Sequence, residues 1–266
     1  MQWSVMTWNV RFNNPADGMN AWPKRSALVA ELLHRTRPSL LGLQEVLPSM
    51  QMEIQAMLPD YACFGQPRRA NDEGCPLFYR LSDFEVVRQE TFWLSETPQS
   101  VGSVSWNASL PRICTWGLLE SRRAPHLRLA VFNTHLDHVS ELARERGVAL
   151  ILDVMQEHRG HVQAMMLMGD FNATPASRVV QVVESTNQSG HCDLRPALQS
   201  AYPLRKDDLF EGTFHGFHPE SGTKEPMIDY LFVSSQITVE SAVVVRDQFQ
   251  GRYPSDHYPL LADLAL

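Results

Sequence analysis

Two short segments of the sequence combine carboxylate, amide and imidazole side chains. Asp170 and Asn172 lie in Gly-Asp-Phe-Asn at the end of an apolar run, and Asp256 and His257 lie in Ser-Asp-His before the last apolar run. Carboxylates can act as general bases or bind cations, and an imidazole can act as a general acid or stabilise developing negative charge. Each segment is also consistent with a turn, because Asp, Asn and Pro are common turn residues.

The spacing inside these segments predicts which side chains share a side. If the strand continues past Asp170, its period of two places Asp170 and Asn172 on one side and Phe171 in the core. Asp229 interrupts an apolar run. Because a buried carboxylate is costly unless it is paired, Asp229 is a candidate to hold the imidazole of His257 in one orientation. The alternative is that Asp229 begins a strand and faces solvent.

Three further polar residues each end an apolar strand candidate. Glu45 follows Leu-Leu-Gly-Leu-Gln, a position typical of a ligand for a hard metal ion but also of a solvated strand end. Asn9 is either a site residue or a buried amide with its hydrogen bonds satisfied. His135 presents the same choice, and a lone histidine at such a position is usually structural.

The elements that would position these residues occur twice in the same order. Each half of the chain contains a strand, a polar motif, a helix, an apolar strand and an acidic motif. This layout predicts two similar sheets packed face to face with helices outside, and the polar motifs gathered at one edge. Helices are predicted to begin at Pro23, after Pro48, at Ser140 and near 177. The predicted strands are 2–10, 40–43, 61–64, 75–80, 84–93, 113–121, 127–134, 163–168, 227–233, 238–245 and 258–265.

Six motifs occur in one order along nearly the whole chain. They are Asn9 in the first strand, Leu43-Gln44-Glu45-Val46, Asn133-Thr134-His135-Leu136, Gly169-Asp170-Phe171-Asn172, Ile228-Asp229-Tyr230 and Ser255-Asp256-His257-Tyr258-Pro259. Together they resemble the endonuclease/exonuclease/phosphatase (DNase I-like) superfamily over residues 9–261, and the segments 17–22, 92–98 and 111–116 are similar to a bacterial branch of it. The resemblance implies an α/β fold, a four-layer α-β-β-α sandwich of two mixed sheets with helices outside. We expect one such domain over residues 1–266.

The resemblance also implies a metal site and substrate contacts beside it. Glu45 corresponds to the main ligand of one or two divalent cations, usually Mg²⁺ with Mn²⁺ as a substitute, and Asn9 and Asp256 lie at the same metal site. Arg112 is predicted to be an extra phosphate contact. Asp137, which extends the motif around His135, is predicted to be a further substrate contact.

The remaining motif residues correspond to the reacting centre. The resemblance assigns to Asp170 the orientation or deprotonation of an attacking water, and to Asn172 the binding of water and phosphate. His257, held by Asp229, would stabilise the charge that develops on phosphorus. His135 takes the place at which some members have a phosphate-contacting or acid histidine.

Composition and motifs narrow the function to hydrolysis of a phosphate ester. The net charge of −7 and the pI of about 5.8 argue against a broadly basic surface for long nucleic acids. A GxSxG nucleophile motif does not occur in the sequence, which favours direct attack by water. We therefore predict a Mg²⁺-dependent phosphoesterase acting on a small molecule or nucleic acid. The alternatives are a nuclease for DNA or RNA, and a non-catalytic phosphoester-binding protein of the same fold.

The sequence supports expectations about the cysteines, the cellular compartment and the oligomeric state. The four cysteines Cys63, Cys75, Cys114 and Cys192 form no CxxC pair, so we expect buried free thiols and a reducing compartment. The chain shows neither a signal peptide pattern nor an apolar run long enough to span a bilayer. We therefore expect a cytoplasmic protein without membrane insertion, and a monomer.

Overall fold

Two six-stranded sheets form the centre of the computed structural model, which describes residues 1–186, 193–198, 212–218 and 226–266. The first sheet contains β1 (Gln2–Asn9), β2 (Leu40–Gln44), β3 (Tyr61–Phe64), β4 (Leu77–Arg80), β11 (Thr238–Val244) and β12 (Leu260–Ala265), in the order β11-β12-β1-β2-β4-β3. The second contains β5 (Phe84–Trp93), β6 (Ile113–Ser121), β7 (Arg128–His135), β8 (Ala164–Asp170), β9 (Leu194–Pro196) and β10 (Asp229–Ser234), in the order β5-β6-β7-β8-β10-β9.

Helices cover the outer faces of both sheets. Those with both ends in the described residues are α1 (Trp22–Thr36), α2 (Pro48–Met57), α3 (Glu141–His158) and α4 (Arg178–Glu184), with short 3-10 helices at Pro15–Asn20 and Arg159–His161. Pro23 occupies the first turn of α1, where its missing N–H leaves no bond unmade. Ser140 caps α3, since its hydroxyl oxygen accepts a hydrogen bond of 3.2 Å from the backbone N–H of Ala143.

Strand β1 shows how one strand contributes to two hydrophobic layers. Trp3 and Val5 pack between the sheets, whereas Met6 and Trp8 pack beneath the helices on the outer face of the first sheet. Because successive side chains of a strand point to opposite faces, a strand covered on both sides is apolar nearly throughout. The same alternation places Asn9, at the end of β1, on the face that looks toward the second sheet.

Polar side chains and a glycine fix how closely the sheets approach. Gln44 Nε2 donates to Asn133 Oδ1 at 2.7 Å, and Asn133 Nδ2 donates to the carbonyl oxygen of Leu43 at 2.8 Å. A Cβ atom at Gly42 would lie 2.6 Å from Met168 Sδ. We infer that a larger residue at Gly42 would force the side chains of Met168 and Asn133 in the second sheet to shift.

Strand direction brings distant parts of the chain to one edge. β1 pairs in parallel with β2, and β7 pairs in parallel with β8. The carboxyl ends of β1 and β2 therefore lie side by side in the first sheet, and those of β7 and β8 lie side by side in the second. β10 runs antiparallel to β8 and places Asp229 opposite Asp170. β12 runs antiparallel to β1, so the loop before β12 lies at the end of β1.

The predicted fold is confirmed, with corrections at several boundaries. Two mixed sheets face each other with helices outside, and most predicted strands agree within two residues. The predicted strand 163–168 extends to Asp170 and no further, so the condition under which Asp170 and Asn172 would share one side of a strand is not met, and Asn172 has a left-handed φ of 47°. Strand β9 was not predicted, since three residues are too few to show a period.

The cysteines of the described residues agree in part with the expectation of buried free thiols. Cys75 and Cys114 are buried free thiols, Cys63 is a half-buried free thiol, and Cys192 lies outside the described residues. Burial raises the pKa of the Cys75 thiol to about 12. Across the described ranges, no helix combines the length and apolarity needed to cross a bilayer.

Arg25 of α1 joins the segment that follows Asn9 to the loop that precedes Asp256. Its side chain is 0% exposed, and Arg25 Cζ lies 5.2 Å from the centroid of the Trp22 ring. Burial lowers its pKa to about 10, so the guanidinium is still charged at neutral pH. It donates hydrogen bonds to the backbone carbonyl oxygens of Val10, Arg11, Phe12, Asn20 and Pro254.

We expect Arg25→Met to lower the free energy of unfolding by about 2–4 kcal/mol, because it leaves several buried carbonyl oxygens without a donor. Denaturant unfolding followed by circular dichroism measures this difference. Arg35→Met is the matched control on the same helix: Arg35 is 49% exposed and pairs with Asp247 on the surface, so we expect a loss below about 1 kcal/mol. Equal losses in both variants would contradict the bracing role of Arg25.

Candidate active site

The side chains that end β1, β2, β7 and β8 meet at one edge of the two sheets. Asn9 is the last residue of β1, Glu45 follows β2 with a left-handed φ of 59°, and His135 and Asp170 end β7 and β8 in direct register. Gly169 permits this register, because a Cβ there would lie 1.9 Å from the Thr134 carbonyl oxygen. The predicted gathering of the polar motifs at one edge is therefore present in the structure.

Asn9 connects the carboxylates of the two sheets. Its Nδ2 donates to Glu45 Oε1 at 3.0 Å and to Asp170 Oδ2 at 2.9 Å. Its Oδ1 accepts a hydrogen bond from the backbone N–H of Arg11 at 2.9 Å, and Glu45 Oε2 accepts one from the backbone N–H of Phe12 at 2.9 Å. Asn9 thus presents its amide nitrogen to the carboxylates and fixes their spacing, while its oxygen is engaged with the backbone.

His257 is held between two carboxylates. Its Nδ1 lies 2.9 Å from Asp229 Oδ2, and its Nε2 lies 3.8 Å from Asp170 Oδ2. Burial alone would lower the pKa of His257, but Asp229, Asp170 and Asp256 outweigh it and raise the pKa to about 10. At neutral pH the ring is therefore an imidazolium, with Nδ1–H donating to Asp229 and a second N–H directed toward Asp170. This arrangement is the predicted pairing of His257 with Asp229.

Asp170 is a buried carboxyl group with an unusual affinity for protons. Burial, followed by the neighbouring charge of Asp229, raises its pKa to about 7. The side chain is 1% exposed, and its Oδ1 accepts a hydrogen bond of 2.9 Å from the backbone N–H of Asn172. A carboxyl group with a pKa near neutrality is well matched to accept a proton from water.

The Gly-Asp-Phe-Asn segment (169–172) forms a turn and also contributes side chains to the polar cluster at this edge. The cluster comprises Asn9, Glu45, His135, Asp170, Asn172, Asp229, Asp256 and His257. The hydrogen bond from the Asn172 backbone to the Asp170 side chain forms an Asx turn. The turn places Asn172 Nδ2 at 3.0 Å from His135 Nε2 and at 3.1 Å from the carbonyl oxygen of Leu136. Phe171 points into the core as predicted, where it packs on Tyr230 at 5.3 Å between ring centroids.

His135 has the opposite charge preference to His257. Burial, followed by the charge of Arg112, lowers its pKa well below the usual value. A neutral ring agrees with His135 Nε2 accepting the hydrogen bond from Asn172, which places the ring proton on Nδ1. His135 Nε2 lies 3.5 Å from Asp170 Oδ2, so this neutral imidazole borders the same space as the two carboxylates.

Oxygen ligands for a cation are available on the Glu45 side of the cluster. Asp256 is 6% exposed, and its pKa is raised by burial and by the nearby charge of Glu45. Ser255 Oγ donates to the carbonyl oxygen of Asn9 at 2.7 Å and so ties the Asp256 segment to β1. A divalent cation would offset the repulsion between the buried Asp256 and the half-buried Glu45, and such oxygen donors suit Mg²⁺.

A second grouping of potential ligands consists of Asp170, Asp229 and His257. One donor atom from each lies within 4.8 Å of the others. A histidine binds a metal only when its ring nitrogen is deprotonated, whereas the geometry and charge at His257 favour the imidazolium. Within the grouping His257 Nδ1 is engaged with Asp229 Oδ2, although Asp229 Oδ1 makes no hydrogen bond with any described residue. Because His257 is occupied in this way, we infer that the carboxylates around Glu45 fit a cation better.

The two predicted substrate contacts lie at different depths. Arg112 is 6% exposed and lines a cavity with Glu45 and His135. Asp137 is 1% exposed and accepts hydrogen bonds from the backbones of Ser109, Val139 and Ser140 and from the hydroxyl group of Ser109. Both carboxylate oxygens of Asp137 are occupied by these hydrogen bonds, which hold the loop before α3. The structure therefore places Asp137 next to Arg112 but outside the polar cluster.

The sequence interpretation missed two charged residues that border the same space. Arg68 and Glu73 lie in the loop between β3 and β4 and line the cavity beside Glu45. This loop is fastened next to Glu45 by paired backbone hydrogen bonds between Val46 and Gly74, of 3.2 and 2.8 Å. Neither residue ends an apolar run, so no local pattern marks them.

Comparison with known proteins agrees with this architecture. A structure from Bacteroides vulgatus, described as an endonuclease/exonuclease/phosphatase, is 32% identical with a TM-score of 0.89, covering 100% of this chain and 99% of that chain. A mannosyl-6-phosphatase from Bacteroides thetaiotaomicron is 29% identical with a TM-score of 0.88, covering 99% of each chain. Among curated proteins, carbon catabolite repressor protein 4 homolog 3 of Arabidopsis thaliana is 22% identical over 172 residues, which are 62% of this chain and 36% of the plant protein.

A family model also matches most of the chain. The model described as the endonuclease/exonuclease/phosphatase family covers residues 6–257, and therefore every polar residue of the cluster. The chain belongs to the endonuclease/exonuclease/phosphatase family, and it is a metal-dependent hydrolase of phosphate ester bonds.

Proposed function

We propose that the chain is a Mg²⁺-dependent phosphoesterase that hydrolyses small phosphate esters by direct attack of water on phosphorus. The observation that carries the proposal is the hydrogen-bonded chain Glu45–Asn9–Asp170, with the Asp229–His257 pair beside it. It combines oxygen ligands for a cation, a carboxyl group with a pKa near neutrality and an imidazolium. These are the groups that hydrolysis of a phosphate ester requires.

Glu45 and Asp256, with Asn9 beside them, are the residues we assign to Mg²⁺. When bound, the cation would supply positive charge that neutralises the phosphoryl oxygens. Asn9 keeps the Glu45 carboxylate at a fixed distance from Asp170, so cation binding and water activation are held in one geometry. The backbone N–H of Phe12 holds the second oxygen of Glu45.

The remaining residues act on the water and on the phosphate. Asp170 orients the water and accepts its proton. Asn172, directed by its Asx turn, holds water and a phosphoryl oxygen. His257, kept as an imidazolium by Asp229, stabilises the additional negative charge of the transition state. His135 is neutral and contributes a phosphate contact rather than a charge.

Two observations support a small substrate over a long nucleic acid. The net charge of −7 gives no broad attraction for a polyanion. The mannosyl-6-phosphatase, which this chain covers almost completely at 29% identity, is named for a phosphate on a sugar. A nuclease and a non-catalytic binding protein are the alternatives that a substrate panel separates.

We expect hydrolysis of a model ester such as p-nitrophenyl phosphate to require a divalent cation. EDTA should reduce turnover by about 10²-fold or more, and added Mg²⁺ should restore it. The same assay with Asp170→Asn protein measures contaminating phosphatase activity. Undiminished turnover in EDTA would sink the proposal. Tight binding of a phosphate ester without turnover, in the presence of Mg²⁺, would support the binding protein, and cleavage confined to DNA or RNA would support the nuclease.

A further inference from the structure

Two buried arginines line a small cavity together with the proposed cation ligand Glu45. The side chains of Arg68 and Arg112 are 8% and 6% exposed, and the cavity also contains Glu73 and His135. Its volume is about 10 Å³, which is room for roughly one water molecule. The space beside the two guanidiniums is therefore small, whereas the second substituent of a diester needs room to extend.

Arg68 is held rigidly with part of its guanidinium still available. Its Nε donates to Asp72 Oδ2 at 2.9 Å, and its Nη1 lies 3.1 Å from Glu73 Oε2. The indole N–H of Trp93 donates to the Arg68 carbonyl oxygen at 2.9 Å and fixes the loop. A guanidinium has five N–H donors in a planar fork, so donors remain for an anion after these contacts are made.

Arg112 faces the same cavity with an incomplete set of partners. Its Nη2 lies 2.9 Å from His138 Nδ1, but its buried Nε makes no hydrogen bond and is 3.7 Å from Asp137 Oδ2. A buried donor without an acceptor is costly, and a native structure usually has a reason for one. Burial and the charge of Arg68 both lower the pKa of Arg112, which means that the two cations repel each other. An anion bound between them would relieve both costs.

We propose that Arg68 and Arg112 bind the non-bridging oxygens of a terminal phosphate, so that the enzyme prefers phosphomonoesters to phosphodiesters. This inference rests on the proposed phosphoesterase function. A monoester dianion brings two charges and three free oxygens to two guanidiniums, whereas a diester brings one charge and a second substituent. A cavity of about 10 Å³ has no room for that substituent if the free oxygens are bound by the arginines.

The test compares two esters that share a leaving group, p-nitrophenyl phosphate and methyl p-nitrophenyl phosphate, in the presence of Mg²⁺. For Arg68→Met we expect kcat/KM for the monoester to fall about 10- to 100-fold, the effect of losing a charge-assisted hydrogen-bonding group. The value for the diester should change by less than about threefold, because the diester does not use Arg68 fully. Arg69→Met is the matched control, since Arg69 is the exposed neighbour on the same loop.

The outcomes separate this inference from the proposed function. Equal losses for both esters in Arg68→Met, or a wild-type preference for the diester, would overturn the monoester subsite while leaving the phosphoesterase intact. Metal-dependent hydrolysis of neither ester would remove the proposed function itself. If Arg68→Met does not fold, Arg68→Lys keeps the charge without the planar fork. Its inhibition constant for inorganic phosphate should then be about tenfold weaker than that of the wild type, and an unchanged constant would count against the subsite.

Discussion

Replacing Asp170 with asparagine should lower kcat by about 10³-fold, the largest effect we expect from a single substitution. Asparagine has nearly the same shape, and its amide oxygen can still accept the hydrogen bond from the Asn172 backbone. It cannot accept a proton from water at neutral pH. Its amide nitrogen would also face the Asn9 Nδ2 donor, which now bonds the carboxylate at 2.9 Å.

The stability of this variant distinguishes a chemical role from a structural one. Because burial and Asp229 raise the pKa of Asp170, its ionised form is unfavourable in the folded protein without a cation. Asparagine removes this cost, which we expect to offset the unfavourable contact of its amide nitrogen with Asn9 Nδ2. The Tm of Asp170→Asn, measured in EDTA, should therefore be equal to or higher than that of the wild type. Asp153→Asn, an exposed position on α3, is the control and should alter neither kcat nor Tm. Activity within about tenfold of the wild type would refute the role assigned to Asp170.

The second large effect is expected at His257. His257→Gln should lower kcat by about 10²- to 10³-fold with little change in KM, because an imidazolium that stabilises developing charge acts mainly in the transition state. Glutamine can still donate one hydrogen bond but carries no charge. Asp229 Oδ2 lies 2.9 Å from Nδ1 of the ring, whereas Nε2 is the nitrogen nearer Asp170, so we assign Asp229 a role that acts mainly through His257. Asp229→Asn should accordingly cost less, about 10- to 100-fold in kcat.

A double variant tests this dependence of Asp229 on His257. If Asp229 works only by holding and charging the ring, adding Asp229→Asn to His257→Gln should cause almost no further loss of kcat. Additive losses would mean that Asp229 has a separate role, for example as a ligand in the Asp170, Asp229 and His257 grouping. A change in the Mg²⁺ concentration needed for half-maximal activity, measured in both single variants, would report such a ligand role directly.

The proposed roles depend on side chains that several segments hold in place. Arg25 draws together the carbonyl groups that follow Asn9 and precede Asp256, and Ser255 bonds to the carbonyl oxygen of Asn9 at 2.7 Å. The indole N–H of Trp8 donates to the His257 carbonyl oxygen at 3.0 Å. Substitutions at these supports should therefore affect cation binding as well as stability.

The sequence by itself was enough for the layers of the fold and for most of the cluster. Strands such as β1 are apolar on both faces, and the amphipathic helices between them require sheets covered on both sides. Polar residues at the ends of such strands must come to an edge. Asn9, Glu45, His135 and Asp170 could be predicted for that reason, and their order identified the family.

Only the tertiary structure decided which of these residues contact each other and which of them carry a charge. Asp229 and His257 are 28 residues apart, and Asn9 and Asp170 are 161 apart, so their contacts depend on which strands are neighbours. The opposite charge preferences of His257 and His135 follow from the carboxylates or arginines packed around each ring. Arg68 and Glu73 lie beside the site because their irregular loop forms backbone hydrogen bonds with Val46. Asp137 does not contact the site, because backbone N–H groups bind its carboxylate. Hydrophobic periodicity is a local property that the sequence displays, whereas charge and hydrogen bonding at a site arise between segments that meet only in the folded chain.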